Sequence, residues 1–506
     1  MSAKMNLKAL YFMVFMLLLS GCMVTPTVLT DSEIQTRVNQ DLEQLKQNQE
    51  LVQTPIDLYE AMARALKYNL DAKVELMKTM LAHKNLDLSH YDLLPKLVAN
   101  TGYDGRNKFS GARSKSLLSG QTSLEPSTSS DKDLFTADLS LSWDVLDFGL
   151  SYVRAQQAAD DLLIAEEEKR RVANRVIQQV RIAYWRAVSA DRMLGRLAHL
   201  DDWVAKALKE SQAIRQRNLD TPLVSLQYQR ELMNTQSEIQ KIYHELSIAR
   251  IELAQLMNLQ PGEPYELVVP KRQLVRPDMD IDLETLEQHA LSNRPELRQI
   301  DYRKRMQAHE AKAAILEMLP SLNLQFGPNY NSNSFLFNNH WLTYGAKISW
   351  NLLNLFRKPA QFTMIEIQEQ VLTAQSLALT MAVMTQVHIG MAQLTNAQKR
   401  VRATKSFYET QKQIGDQVRV SWTANRISEQ TVIREHLNNL LAEIRYDVDL
   451  AHVEASYANL LGAIGEDTIP HIIPDISVTD LARTLRHRWN NIIEVKPTRR
   501  TTEHQS

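Results

Sequence analysis

The stretch from Phe135 to Gly149, FTADLSLSWDVLDFG, constrains the fold more than any other part of the chain. Apolar residues stand at the odd positions from 135 to 145, and polar residues stand at the even positions from 136 to 144. A period of two places the apolar side chains on one face of a strand. About ten residues is also the length of a tilted strand that crosses a membrane. A helical segment without proline follows to about Leu219, so we expect a membrane strand that turns directly into a very long helix.

The same design occurs a second time. Residues 342–352, LTYGAKISWNL, alternate in the same way, and WDVLD at 143–147 aligns with WNLLN at 350–354. LPKL at 94–97 likewise aligns with LPSL at 319–322. The sequence therefore predicts two copies of one unit, about 205 to 225 residues apart.

The first residues have the pattern of an export signal, which we place at 1–21. Two lysines precede an apolar core at 10–19 that is too short to span a bilayer as a helix. The LSGC motif that ends at Cys22 resembles a bacterial lipobox, in which the signal is cut before an acylated cysteine. Cys22 is the only cysteine, which excludes an internal disulfide. The alternative is a plain signal peptide with an unrelated cysteine; Met23 at the next position favours sorting to the outer membrane.

Charge and hydropathy narrow the choice of partners and compartment. The 58 basic and 59 acidic residues give a net charge of −1, which gives no indication of nucleic-acid binding. We expect no stretch after the signal to reach the roughly 18 apolar residues of a membrane helix. If the mature chain crosses a membrane, strands must therefore do so, because unpaired backbone is too costly in lipid.

The mature chain divides into five predicted segments. A helix from about Ser151 to Arg217 would be roughly 100 Å long, and its small and apolar residues at spacings of three and four indicate a heptad seam. The basic loop at 104–133 is expected to be solvated rather than a phosphate or nucleic-acid site, because basic character alone is weak evidence. The segments are a lipid-anchored tether at 22–56, repeat 1 (helix, two strands, long helical hairpin) at 57–259, a proline-rich connector at 260–282, repeat 2 in the same order at 283–465, and a polar C-terminal tail of uncertain order at 466–506.

No catalytic or ligand-binding motif stands out. HExxH, GxSxG and GxxxxGK do not occur, and the 13 histidines are scattered. Met381, Met384 and Met391 lie near helical spacing, which favours helix packing over a path for copper. We therefore expect no catalytic residue, no cofactor and no metal site, and we do not expect an enzyme.

Several segments together resemble the TolC-like outer-membrane efflux family, in its lipid-anchored branch. They are the run WDVLDFGLSYVRAQQAA at 143–159, the two LPxL pairs, and the ends LMN at 256–258 and LLG at 460–462. The resemblance extends from about Asp57 to Gly465. It implies an α+β fold in which four strands per chain enter a trimeric outer-membrane β-barrel, continued by a long periplasmic α-helical coiled-coil barrel.

Physical reasoning reaches part of that architecture. Four strands cannot close a membrane barrel, which needs at least about eight, and an open edge is forbidden in lipid. The barrel must therefore be shared between chains. The resemblance supplies the homotrimer, and it also implies a periplasmic adaptor protein and an inner-membrane transporter as partners. We expect the loops at 104–133 and 329–340 to face the outside of the cell, since the opposite strand ends continue into helices.

The resemblance also identifies the tips of the two helical hairpins as the surface that docks the adaptor. Asparagine replaces the family's usual glycine at both tips. The matching residues are Asn218, Leu219 and Thr221 at the first tip, and Asn425, Arg426, Ile427 and Ser428 at the second.

In the family, two aspartates after the second tip form carboxylate rings that close the periplasmic mouth. Thr431 and Arg434 occupy the matched positions here, with Glu429 and Glu435 beside them. Three arginines about an axis repel one another and disfavour cations. Arg434 would hold the mouth narrow only with a carboxylate partner; the alternative is that it points into the helix wall.

The function predicted from these observations is a passive exit duct in the outer membrane, lipid-anchored and extending into the periplasm. The alternative is a lipid-anchored periplasmic coiled-coil scaffold or adaptor that does not span the membrane. The amphipathic strands separate the two, because an adaptor has no need of membrane-length strands that continue into long helices. The residues do not distinguish drug, metal-ion and protein export.

Overall fold

A computed structural model describes residues 26–46, 49–52, 55–123, 125–216, 221–260, 262–272, 282–424, 426–427, 429–466 and 476–493. The chain divides into two compact units, up to Leu51 and from Val52 onward. The predicted signal peptide and Cys22 lie outside the described residues. The first unit contains helix α1 (Asp31–Lys46), within the predicted tether. A reciprocal cap starts it: the Glu33 amide donates to the Thr30 hydroxyl at 3.3 Å, and the Thr30 amide donates to the Glu33 carboxylate at 2.8 Å.

The second unit consists of helices and one sheet, and the order helix, helix, strand, strand, long helix, return helix occurs twice along it. The elements of the first half are α2 (Leu58–Tyr68), α3 (Leu70–Tyr91), β1 (Lys96–Gly105), β2 (Asp133–Asp144), α4 (Val145–Gln216), α5 (Pro222–Ser247) and α6 (Ala249–Leu256). Those of the second half are α7 (Leu283–Asn293), α8 (Pro295–Leu316), β3 (Ser321–Asn331), β4 (His340–Ser349), α9 (Asn354–Thr423) and α10 (Glu429–Ala463), followed by α11 (Val478–Ile493).

The sequence predicted one helix at the start of each repeat, whereas in the structure a break divides each of them into two helices. Asn69 separates α2 from α3, and its side-chain oxygen accepts from the Asp71 and Ala72 amides at 3.1 and 3.2 Å. Arg294 separates α7 from α8, where Pro295 takes the first helical position. The apolar spacing continues across both breaks, so periodicity alone did not show them.

The four strands form one antiparallel sheet in the order β1-β2-β3-β4. The pairing of β2 with β3 is interrupted at Gly327 and Pro328. A Cβ at Gly327 would lie 1.9 Å from the Leu139 carbonyl oxygen, so only glycine fits there. The last strand was predicted to reach residue 352, but β4 ends at Ser349, opposite Ser321, the first residue of β3.

The helices form a wall that continues from the sheet. Helix α4 packs against α3 and α5 and also against α8 and α10, while α9 packs against α8 and α10. The heptad seam predicted along α4 is confirmed, because most of its residues are buried. They are Ala173, Val176, Val180, Ala183, Ala187, Ala190 and Leu197.

The C-terminal tail contains a helix that the sequence analysis missed. Helix α11 buries Leu481 and Leu485 in the core that α2 and the middle of α4 form. Its Trp489 is also buried and meets Tyr457 of α10 edge-to-face at 5.7 Å. The Trp489 ring lies 3.5 Å from the guanidinium carbon of the buried Arg181. The tail is polar on average, so its single narrow apolar stripe was not recognised as a helix.

Helix α9 corrects a second expectation. By length and composition it is long and apolar enough to cross a membrane, so the expectation that no such segment follows the signal peptide was wrong. Only 22% of its apolar window is buried within the chain. Helix α9 therefore presents an apolar surface that the described residues of this chain do not cover.

Candidate functional site

The sheet exposes one continuous apolar face. Its strands are 10 to 12 residues long, the length of tilted membrane strands. Large apolar side chains on this face are at least a third exposed, although a soluble sheet would bury them. They include Leu97, Tyr103, Phe135, Leu139, Leu141, Trp143, Leu324, Phe326, Leu342, Tyr344 and Ile348.

Aromatic residues stand near both ends of the apolar face. Tyr103 and Phe135 lie opposite each other near the end that carries the loops. Trp143 lies at the helix end and meets Phe148 edge-to-face at 5.9 Å. Aromatic girdles at two levels are typical of strands that cross a bilayer.

The opposite face of the sheet is polar and its side chains are bonded across the strands. Asn100 on β1 donates to the Asp138 carboxylate on β2 at 2.9 Å. Asn329 on β3 donates to the Thr343 hydroxyl on β4 at 2.8 Å. These groups keep further hydrogen-bonding capacity for water, so this face suits the lining of an aqueous path.

The junction from β2 to α4 shows how the sequence turns strand into helix. The Asp144 side chain accepts from the Leu146 and Asp147 amides at 3.0 and 3.1 Å, and so caps the helix as the strand ends. The direct turn predicted at this point is confirmed, although the helix begins at Val145, slightly before the predicted change of pattern.

The sheet and the wall have edges that the described part of the chain leaves open. Strands β1 and β4 are the two outer strands of the sheet. Helices α3, α5 and α9 are the outer helices of the wall, and they carry exposed apolar side chains. Examples are Val74, Met77, Met80 and Leu81 on α3, Leu223 and Met233 on α5, and Ile367, Val371, Leu377 and Met381 on α9.

The predicted docking tips are described in part. Asn218, Leu219, Asn425 and Ser428 lie outside the described residues. Thr221 caps α5 with its backbone, because its carbonyl accepts from the Ser225 amide at 3.2 Å. Arg426 is exposed, and Ile427 is half-buried beside a groove of 480 Å³ along the end of α9. Ile414 and Val418 also line this groove and give it a partly apolar floor.

The gate candidates lie at the start of α10. Thr431 is half-buried, and the side chain of Glu429 lies outside the described residues. Arg434 is about half exposed, and its Nε lies 3.3 Å from the carboxylate of the neighbouring Glu435. Glu435 also accepts from the Gln411 amide on α9 at 3.1 Å. The carboxylate partner that the sequence analysis required for Arg434 is therefore present within one chain.

A cluster of buried ions, which the sequence analysis missed, joins the connector to the wall. Asp447 on α10 is completely buried; it accepts from Arg272 at 2.6 and 2.8 Å and from Arg192 on α4 at 3.2 Å. Arg272 also lies 3.0 Å from Glu443. Hydrogen bonding to Asp447 raises the pKa of Arg272. We call Arg192, Arg272, Glu443 and Asp447 the connector cluster; local patterns gave no signal for it because its members are far apart in sequence.

A hydrogen bond to a charged side chain, Glu168, joins α4 to α8. Arg171 donates to the Glu168 carboxylate at 2.8 Å, and Gln299 on α8 donates to it at 3.0 Å. Hydrogen bonds from Arg171 lower the pKa of Glu168 to about 2. Among the described residues no group of three or more histidine, cysteine, aspartate or glutamate side chains is placed to hold a metal ion.

The chain is similar to solved outer-membrane channels. No protein-family model and no curated protein matches it. The channel CusC is 18% identical, with 83% of this chain and 96% of that chain covered and a TM-score of 0.61. The channel OprN is 15% identical over 81% and 90%, with a TM-score of 0.62. The open state of Neisseria gonorrhoeae MtrE is 16% identical over 81% and 88%, also with a TM-score of 0.62.

These similarities, together with the sheet and the helical wall, define the class of fold. The chain has the fold of the TolC-like outer-membrane channels, as the sequence resemblance predicted. The solved structures that share this fold are described as channels. At such identities the similarity establishes the fold, and what this chain conducts and contacts is a separate question.

Proposed function

We propose that the chain is the outer-membrane channel of a tripartite efflux or export system, a passive exit duct. The sheet carries this proposal, because a membrane-length apolar face and a polar face continue directly into helices of 72 and 70 residues. Helices of that length extend about 105 Å, enough to cross much of the periplasm. Substrate would move along the duct without any bond being made or broken, driven by an inner-membrane transporter.

The working assembly in this proposal is a homotrimer. Lipid does not tolerate the open backbone edges of β1 and β4, and water does not favour the exposed apolar faces of α3, α5 and α9. Pairing β4 and α9 of one chain with β1, α3 and α5 of the next covers both. Three chains give twelve strands, which exceeds the minimum for a closed barrel. Native mass spectrometry should therefore find three chains; a monomer that is stable in detergent would contradict this.

We propose further that the two halves are copies of one unit. Beyond the shared order of elements, the residue at the break between the first two helices of each half bonds a later helix end, which belongs to α6 in the first half and to α10 in the second. Asn69 donates to the Leu256 carbonyl at 3.2 Å, and Arg294 donates to the Gly462 carbonyl at 2.9 Å. Equivalent contacts made by different side chains support descent from one unit better than similarity of pattern alone.

The free end of the helical hairpins is proposed to dock a periplasmic adaptor protein. The groove beside Ile427 supports this, because its partly apolar floor suits the side chains of an adaptor helix. Close by, Arg434 with its partner Glu435, together with Thr431 and Glu429, is proposed to line the periplasmic mouth. Exchange of Ile427 for Asp should reduce capture of the adaptor, whereas trimer mass should not change.

Localisation at the outer membrane is proposed to have two sources, a lipid on Cys22 and the strands. Cys22→Ser separates them, because the alternative scaffold is held by lipid alone. The duct predicts that the variant stays in the membrane fraction after carbonate extraction. Release of all the protein would favour the scaffold. Mass spectrometry of the wild-type N-terminal peptide should show acylated Cys22, and an unmodified peptide that starts elsewhere would contradict the anchor.

A further inference from the structure

The loop between β1 and β2 is an ordered ribbon, whereas the sequence predicted only a solvated loop. The chain bends at Asn107 and Lys108, and pairing resumes at Ala112 and Ser127, whose amides and carbonyls exchange bonds of 3.0 and 3.1 Å. A turn closes the ribbon, in which Gly120 at φ 67° donates to the Ser116 carbonyl at 3.0 Å. We call residues 106–132 the basic hairpin; residue 124 is outside the described chain.

The tip of the basic hairpin is apolar and uncovered. Leu117 and Leu118 are the two residues after Ser116, and both are fully exposed, at 101% and 102%. Phe109, near the bend, is 62% exposed. Single exposed leucines are common on proteins, but two adjacent ones at the end of an ordered ribbon form a small insertion point.

The sides of the basic hairpin are positively charged. The basic hairpin contains five basic residues and two acidic residues, Glu125 and Asp131. Arg113 and Lys115 lie closest to the apolar tip, both are exposed, and no ion pair holds either of them within the described chain. Being two residues apart in a paired segment, they share one face of the ribbon.

We propose that the basic hairpin docks on the phosphate-bearing surface of the outer leaflet, with Leu117 and Leu118 inserted among acyl chains. This inference rests on the proposed function, which places the hairpin outside the cell. Apolar insertion combined with basic side chains is how peripheral segments bind anionic lipid. The rival occupant is the same hairpin of another copy, and charge opposes it because three positive ribbons repel one another. A hairpin that is bound to the outer leaflet would lie beside the mouth of the pore, so it would not block the pore.

The test uses the full chain in vesicles, with Cys22→Ser removing the only other cysteine. Leu117→Cys is labelled with an environment-sensitive fluorophore and reconstituted into phosphatidylcholine alone or mixed with lipid A. We expect a blue-shifted label protected from iodide only where lipid A is present. Arg113→Gln with Lys115→Gln should weaken this association about 25-fold, at about five-fold per charge, and high salt should also weaken it. The matched control is Lys412→Gln with Arg419→Gln, which removes two basic residues near the end of α9 that is far from the sheet. It should not change the association of the label with lipid A.

Three results would overturn the inference. The label could stay quenched equally in both lipids, it could be protected in detergent trimers without lipid, or its protection could survive loss of both charges. Protection in detergent would identify another copy as the occupant. Conductance of the same vesicles is recorded in parallel, so that a failure of the channel proposal is recognised separately from a failure of docking.

Discussion

One substitution pair on β2 tests which face of the sheet meets lipid. Leu139 is the seventh of 12 residues in Asp133–Asp144, and it lies on the apolar face at 41% exposure. Roughly 20 Å of strand precedes it and about 17 Å follows it, which places it near the middle of the bilayer. Ser140 is the next residue and points to the polar face, so it provides a control at the same depth.

An arginine on the lipid face near the midplane costs about 2–4 kcal/mol, whereas a position facing water costs little. We therefore expect Leu139→Arg to lower the equilibrium constant for folding into vesicles by about 30- to 900-fold per chain. Ser140→Arg should cost less than about 1 kcal/mol. In an aqueous scaffold both positions would be on the surface, and neither change would exceed about 0.5 kcal/mol.

The assay is urea titration of folding into phosphatidylcholine vesicles, followed by protease protection. The reasoning predicts a clear loss for Leu139→Arg and a near-normal midpoint for Ser140→Arg. Equal effects of the two variants, or a larger effect of Ser140→Arg, would refute the assignment of faces.

Three further predictions concern the helical wall. Asp447→Asn should destabilise the protein by about 3 kcal/mol in thermal unfolding, because it removes the buried carboxylate that Arg192 and Arg272 share, although Arg272 keeps its contact with Glu443. Asp416→Asn, which breaks an exposed pair, should cost less than about 1 kcal/mol. The pKa of Glu168, lowered to about 2, implies a stabilising contribution that is present above its unfolded pKa and lost as pH falls from about 5 toward 2. Glu168→Gln should therefore lose stability at neutral pH and converge with wild type in acid, and a constant difference across that range would contradict the linkage. At the proposed gate, we expect weak block by micromolar divalent cations and looser closure in Arg434→Ala with Glu435→Gln; strong block that persists in the variant would indicate a different acidic ring.

The sequence predicted the strands well because their pattern has a local cause. Alternation placed β2 at 135–145, and the strand is Asp133–Asp144. The error in β4 is also instructive: the alternation continues through Trp350, but pairing stops at Ser349 because its partner Ser321 follows Pro320, which has no amide hydrogen to donate. A strand ends where its partner ends, and a single segment does not contain that information.

Contacts between residues that are far apart in the sequence could not be predicted from local patterns. The connector cluster joins Arg272 to Asp447 across 175 residues, and no spacing rule links them. Helix α11 had a weak signal, since Val478, Leu481, Leu485 and Trp489 step by three and four, but the surrounding polar residues hid it. Of the candidate tip and gate residues, Arg434 gained a defined partner, because Glu435 beside it is held by Gln411 on α9.

Single-channel recording of the purified full-length protein in a planar bilayer tests the central claim most directly. The account predicts stepwise, ohmic conductance that appears with each inserted trimer. Leu139→Arg should reduce the number of insertions, whereas Ser140→Arg should leave it close to that of the wild type. Protein that is shown to be folded and bound to the bilayer, yet gives no conductance steps at any voltage, would contradict the account and favour the scaffold.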